Sequence, residues 1–275
     1  MTIQNSMKIG FIGGGNMAVA LIGGMLKRGF SGNDIVVAEL VDAQRARLSH
    51  DFGVQVEESA AEALRADVLV LAVKPQVLRQ VLTGLPRLDG HVCVLSIAAG
   101  IRAGDIARWL NGHAAVVRAM PNTPALVGAG IAGLYALPGV SSAQRQQAEA
   151  ILAAVGSTVW VTSEAQIDAV TAISGSGPAY VFLFIEALED AACQLGLDAG
   201  TARALALQTV YGASALAVQD GSEPAELRAR VTSKGGTTER GVAELESHRL
   251  RAALLAAAQA ANARAKELGD ILGAD

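Results

Sequence analysis

An apolar run that ends in three consecutive glycines constrains this chain more than any other feature: Lys8-Ile9-Gly10-Phe11-Ile12-Gly13-Gly14-Gly15-Asn16-Met17-Ala18. The run to Ile12 fits a buried strand, and a helical pattern follows from about Asn16 to Arg28. Strand, glycine turn and helix in this order match the dinucleotide-binding fingerprint, with Ala18 in the third glycine position. Gly13 permits the sharp turn, Gly15 lets the backbone approach a pyrophosphate, and Ala18 lets the helix pack on the strand. The helix start then offers free N–H groups and a partial positive charge to phosphates. An ordinary glycine-rich turn between strand and helix is the plainer alternative.

Strand and helix patterns alternate beyond this unit. Strands are predicted at Ile35–Ala38, Gly53–Val56, Val68–Val73, Val92–Ile97, Ala115–Arg118, Ile131–Ala136 and Thr158–Val161. Helices are predicted over Asp42–Asp51, after a capping box at Ser59 and Glu62, and over Ser142–Val155. Repeated βα units imply a doubly wound, mostly parallel sheet of Rossmann type. No strand pattern follows Val161, and Ser163 with Gln166 signals another helix start. The expected organisation is α/β: a dinucleotide-binding domain over residues 1–162, then an all-α domain over 163–275. The helix from about Thr201 to Gln219 is apolar nearly all round, so it must be covered on every side. A subunit interface is the expected cover.

With 51% hydrophobic and 17% charged residues, the chain is a folding sequence and not a disordered one. Its formal net charge of -4 comes without a basic cluster, which argues against nucleic acid as the main partner. No run reaches the roughly 18 apolar residues of a membrane span. Cys93 and Cys193 lie in separate apolar segments and read as buried free thiols. The first six residues lack a signal peptide's pattern, so a cytoplasmic protein is expected.

Ligands of open parallel sheets bind outside the carboxyl ends of the strands, so the residues there are candidates. Lys74-Pro75 follows one strand: Pro75 can start a helix, and Lys74 can meet a ribose or phosphate or simply be solvated. Ser96-Ile97-Ala98-Ala99-Gly100 follows the next, small enough for a nicotinamide or for tight packing alone. Met120-Pro121-Asn122-Thr123-Pro124 makes a stiff loop, either a site wall or a structural turn. Glu39 ends the second strand, where an acid can accept hydrogen bonds from the adenosine ribose; a surface Glu is the alternative. Its neighbours Leu40 and Val41 offer no cation.

Two later stretches stand out. Ser174-Gly175-Ser176-Gly177-Pro178-Ala179-Tyr180 interrupts a helical pattern with small residues, permitting close approach by a helix or a ligand. Val231-Thr232-Ser233-Lys234-Gly235-Gly236-Thr237-Thr238-Glu239 is a polar glycine loop before a new helix. Successive free N–H groups from Gly235 to Thr238 would form a nest for an anion such as a carboxylate. A flexible loop with ordinary Thr capping is the alternative. His50, His91, His113 and His248 show no partner pattern.

The segment Pro224 to Glu246, centred on Val231–Thr238, resembles the signature of pyrroline-5-carboxylate reductases. The resemblance spans essentially the whole chain. Gly10–Ala18, Ala72-Val73-Lys74-Pro75, Met120–Pro124 and Ser174–Tyr180 are similar to that family's motifs, in its order. It implies reduction of L-1-pyrroline-5-carboxylate to L-proline with NADPH or NADH. It also implies an interlocked homodimer, often built into a decamer. Carried over by position, Ile12, Gly13, Gly14, Gly15, Asn16, Met17 and Ala18, with Ala72, Val73, Lys74 and Pro75, would hold the dinucleotide. Ile97, Ala98 and Ala99 would lie near its nicotinamide half. Ser233, Gly235, Gly236, Thr237 and Thr238 would hold the substrate carboxylate, with Thr238 on the ring nitrogen as the catalytic contact. Glu164 matches a position near the bound ligands. No metal is implied. Lys234 stands where the family often has Pro, and Glu39 where many members carry a small polar residue, which leaves both cofactors open. A 3-hydroxyacid dehydrogenase shares the two-domain plan but needs a catalytic Lys, and none occurs between Lys74 and Lys234. A dinucleotide-sensing protein without catalysis would not need the carboxylate nest.

Overall fold

Strand and helix alternate through the first half of the chain in the computed structural model, which describes residues 7–274. The expectation about a leader concerns residues 1–6, which lie outside that range. β1 (Ile9–Ile12) leads to α1 (Asn16–Lys27), β2 (Ile35–Ala38) to α2 (Asp42–Phe52), and β3 (Gln55–Glu57) to β4 (Val68–Leu71). Then come α3 (Pro75–Thr83), β5 (Cys93–Ser96), α4 (Ala103–Trp109), β6 (Val116–Met120), β7 (Gly130–Ala136), α5 (Ser142–Ala153) and β8 (Gly156–Trp160).

The eight strands form one sheet in the order β3-β2-β1-β4-β5-β6-β7-β8. Only β6 and β7 pair antiparallel; the other neighbours are parallel. β1, β4 and β5 are buried at every residue, as strands covered on both faces should be. Alternate residues serve the two faces. Phe11, Val70 and Leu95 join one apolar core with Leu21 of α1 and Ile151 of α5; Leu69, Leu71 and Val94 join a second with Leu78 of α3 and Ile106 of α4.

The helix expected after Ser59 does not form. Ser59 Oγ accepts only the Ala61 N–H (3.3 Å), and Glu62 pairs with Arg65 (3.0 Å). A short 3-10 turn at Ala63–Arg65 replaces it, because fully buried Ala63 packs its backbone directly over Gly10 of β1.

Beyond β8 every element is helical: α6 (Ala165–Val170), α7 (Gly177–Gln194), α8 (Ala199–Asp220), α9 (Pro224–Arg230), α10 (Thr237–Ser247) and α11 (Leu250–Gly273). The small-residue stretch does not break the helix as its sequence suggests. A π-helical turn at Thr171–Gly175 joins α6 to α7, with the Ser176 N–H on the Thr171 carbonyl (2.8 Å). The resulting 30-residue helix, Ala165–Gln194, is enough by length and apolar composition to cross a bilayer, a test that the core helix of a soluble protein also passes.

The chain packs as two compact units, one reaching Ser176 and including the stretch from Ala260 on, the other covering Gly177–Gln259. The first unit therefore takes in α6, the π-turn and the end of α11, beyond the division expected after residue 162. In the second unit α7 and α8 pack together, and only Ala202 and Ala206 of α8 are buried.

Candidate active site

The parallel register of the first unit sets Ala38, Ile12, Leu71, Ser96 and Arg118 in one row across five strands. The residues just past that row share one edge of the sheet: Glu39, Gly13 to Gly15, Ala72 to Lys74, and Ile97 to Ala99. Backbone hydrogen bonds tie them, from Gly13 N–H to the Ala38 carbonyl (2.8 Å) and from Ala72 N–H to the Ile12 carbonyl (2.8 Å).

Gly13 has φ +96°, and a Cβ there would lie 2.8 Å from the Ala72 carbonyl oxygen. Gly15 caps α1 in extended conformation with no side-chain acceptor, and a Cβ on it would meet nothing within 4 Å. The first N–H groups of α1, on Asn16, Met17 and Ala18, have no backbone acceptor among the described residues. Ala18 itself is fully buried in the core. This is the cradle a pyrophosphate needs, and its residues fit the group.

Glu39 is committed to backbone. Its Oε2 accepts the Gly14 N–H (2.8 Å) and its Oε1 the Val41 N–H (2.9 Å). The sequence leaves open a ribose acceptor or a surface acid; in the structure the carboxylate braces the glycine turn. The sequence reading also missed two α2 residues. Gln44 donates to the Gly14 carbonyl, and Arg45 donates to the Glu39 carbonyl (2.6 Å) while pairing with Asp42. A cation therefore does stand beside Glu39, one helical turn beyond Leu40 and Val41. Lys74 is exposed at the start of α3, with Pro75 in the first turn.

Glu164 is placed differently from a free ligand contact. Its Oε1 accepts the Ala103 N–H at the start of α4 (2.6 Å) and pairs with Arg118 of β6 (3.3 Å). Arg118 is 3% exposed and also pairs with Asp168 (3.2 Å). A buried guanidinium needs such partners, since desolvation without them is prohibitive. The signal in the sequence was an arginine inside an apolar strand and two acids spaced i, i+4 on a helix. Asn122 of the stiff loop is likewise structural: it accepts the Ile131 N–H (2.9 Å) and donates to the Ser174 carbonyl (3.1 Å). Of the histidines, His113 spends Nε2 on the Val92 carbonyl (2.8 Å), and His50, His91 and His248 are exposed. Burial pushes the Cys93 thiol up to about 12, leaving it inert, whereas Cys193, expected to be buried, is exposed on α7 because that helix's apolar side is uncovered in the single chain.

The glycine loop of the second unit is partly self-satisfied. Gly235 has φ +73°, and its N–H donates to Glu239 Oε2 (2.7 Å). The Gly236 N–H donates to the Ser233 carbonyl (3.0 Å). The expected nest of four free donors is corrected to two, because the loop's own acceptors take the first pair. Thr237 and Thr238 remain, at the first two positions of α10, with exposed hydroxyls. Among the described residues no cluster of His, Cys, Asp and Glu could hold a metal.

Residues 164–268 match the family model described as pyrroline-5-carboxylate reductase dimerisation, and residues 8–100 match NADP oxidoreductase, coenzyme F420-dependent. The chain is 47% identical to a pyrroline-5-carboxylate reductase of Pseudomonas aeruginosa over 98% of its own length and 100% of the relative's. A pyrroline-5-carboxylate reductase structure from Coxiella burnetii superposes with a TM-score of 0.90 at 43% identity, covering 96% of this chain and 99% of that one. The Plasmodium falciparum pyrroline carboxylate reductase, solved with NADP bound, gives 0.82 at 29% identity, over 97% and 99%.

Proposed function

The chain belongs to the pyrroline-5-carboxylate reductase family, and from that membership we propose that it reduces the C=N bond of L-1-pyrroline-5-carboxylate to L-proline. A bound dihydronicotinamide dinucleotide supplies the hydride. The chain's own residues bind and orient. The glycine turn and the first N–H groups of α1 take the pyrophosphate, while Ala72, Val73, Lys74 and Pro75 line its path. Ile97, Ala98 and Ala99 flank the nicotinamide half. In the second unit, the N–H groups of Thr237 and Thr238 take the substrate carboxylate, with Ser233, Gly235 and Gly236 shaping the loop around it. The Thr238 hydroxyl holds the ring nitrogen. An imine that enters protonated already has an electrophilic C5, so orientation at near-attack distance is the protein's main contribution.

The open cradle at Gly15, at the head of a row of strand ends, carries this reading. NADH is the cofactor it favours, because the fixed Glu39 carboxylate opposes a 2′-phosphate, although Arg45 stands nearby. Assembly follows from the same membership: the apolar sides of α7 and α8 meet a second copy in a homodimer, with a decamer as the larger form. The 30-residue apolar helix is then an interface element and not a membrane span. Two free thiols support a cytoplasmic placement. The test is purified protein with pyrroline-5-carboxylate and either NADH or NADPH, followed by the absorbance of the reduced nicotinamide. Oxidation that depends on the imine is expected; none with either cofactor would overturn the reading.

A further inference from the structure

The last turns of α11 lie against the segment that joins β5 to α4, inside the first unit. The carbonyls that end a helix lack intrahelical donors and carry the negative end of its dipole. Three arginines meet this end. Arg79 donates to the Ala274 carbonyl (3.1 Å), Arg108 donates to that of Gly273 (2.8 Å), and Arg102 pairs with the Asp270 carboxylate (2.5 Å). Gly269 makes room for the crossing: a Cβ there would sit 3.1 Å from Nη2 and 3.2 Å from Nε of Arg102. Leu268 and Leu272 close over Gly100, whose own Cβ would lie 3.2 and 3.3 Å from them. From another element, Glu164 holds the Ala103 N–H. The segment is thus fixed at Gly100, Arg102 and Ala103, while Ala99 just before them is exposed.

We propose that Arg102 and Asp270 are positioning residues, whose ion pair clamps the start of α4 so that Ile97, Ala98 and Ala99 hold the nicotinamide half at hydride-transfer distance. The proposal rests on the reading that these three residues flank the nicotinamide. The pair is partly exposed, at 39% and 70% for the two side chains, so it adds little to global stability. Its effect falls on geometry.

The experiment compares wild type with Arg102→Ala, Asp270→Asn and the reversed pair Arg102→Asp with Asp270→Arg. Each single variant should lower kcat about tenfold and raise the primary isotope effect with a dinucleotide deuterated at the transferred position, while the imine KM stays within about twofold. The reversed pair should recover part of the loss. Folded variants with unchanged kcat and isotope effect would overturn the clamp, as would losses that follow the unfolded fraction alone. A second readout needs no turnover. In a Trp160→Phe background, energy transfer from Trp109 of α4 to bound NADH should weaken in both single variants. Equal transfer would overturn the clamp even if the wild type proved inert toward the imine, a result that would separately overturn the proposed reaction.

Discussion

Thr238 presents a hydroxyl that no group among the described residues engages, at the head of α10 where two N–H groups are also free. A hydrogen bond to a charged ring nitrogen is among the stronger ones a hydroxyl can make. Thr238→Ala should therefore cut kcat/KM for the imine about tenfold and leave dinucleotide binding alone; steady-state kinetics with each substrate varied would show it, and unchanged kinetics would remove Thr238 from the reaction. Glu39 poses the opposite case, a charge already spent on Gly14 and Val41. Glu39→Ser should raise the NADPH-to-NADH ratio of kcat/KM by about tenfold, since it removes a fixed negative charge from the ribose side. A ratio that does not move would make the carboxylate a brace for the glycine turn only. The sequence marks where candidates lie, because glycine, proline and threonine cluster at its strand and helix ends. It does not mark their partners. Glu164 reads as an acid at a helix start, and nothing in a linear string reveals that Arg118, 46 positions earlier, sits beneath it.

At the scale of elements, apolar runs and caps read well where local rules decide the outcome. β2 falls at Ile35–Ala38 as expected, and α5 starts at Ser142 behind a complete capping box. There Ser141 Oγ accepts the Gln144 N–H (3.2 Å) and Gln144 Oε1 accepts the Ser141 N–H (2.9 Å). Ser141→Ala should lower stability by about 1 kcal/mol, or about 2–4 °C in Tm, by calorimetry. Acid should act on α8. The Thr201 hydroxyl and N–H, with the Gly200 N–H, hold the Asp198 carboxyl below its ordinary range. A lowered carboxyl adds stability above its unfolded pKa and loses it as pH falls through the folded one. The helical unit should thus weaken below about pH 4 more steeply in wild type than in Asp198→Ala, measured by circular dichroism. Local rules fail where packing from afar intervenes. The Ser59 helix yields to the close approach of Ala63 on Gly10, and the helical pattern expected to be interrupted at Ser174–Tyr180 instead continues through a π-turn at Thr171–Gly175.

For the whole molecule, the second unit leaves too much apolar surface uncovered to be a finished object. Phe182 and Leu183 of α7 are 64% and 65% exposed, and Tyr211 of α8 is 69% exposed. Surfaces of this kind mark association sites. Size-exclusion chromatography with light scattering should find a dimer or a larger even-numbered assembly, and Phe182→Glu should shift it toward monomer. A wild-type monomer that is active when dilute would contradict the assignment of this surface to an interface.

The end of α11 has a consequence for how the protein is made. The first unit cannot finish its packing until the stretch from Ala260 arrives, and residues 177–259 must be synthesised in between. At roughly 5–20 residues per second, that delay is several seconds. During it, the surface at Gly100, just before α4, that will receive Leu268 and Leu272 stands open on a growing chain. The nucleotide-binding half is begun first and closed last.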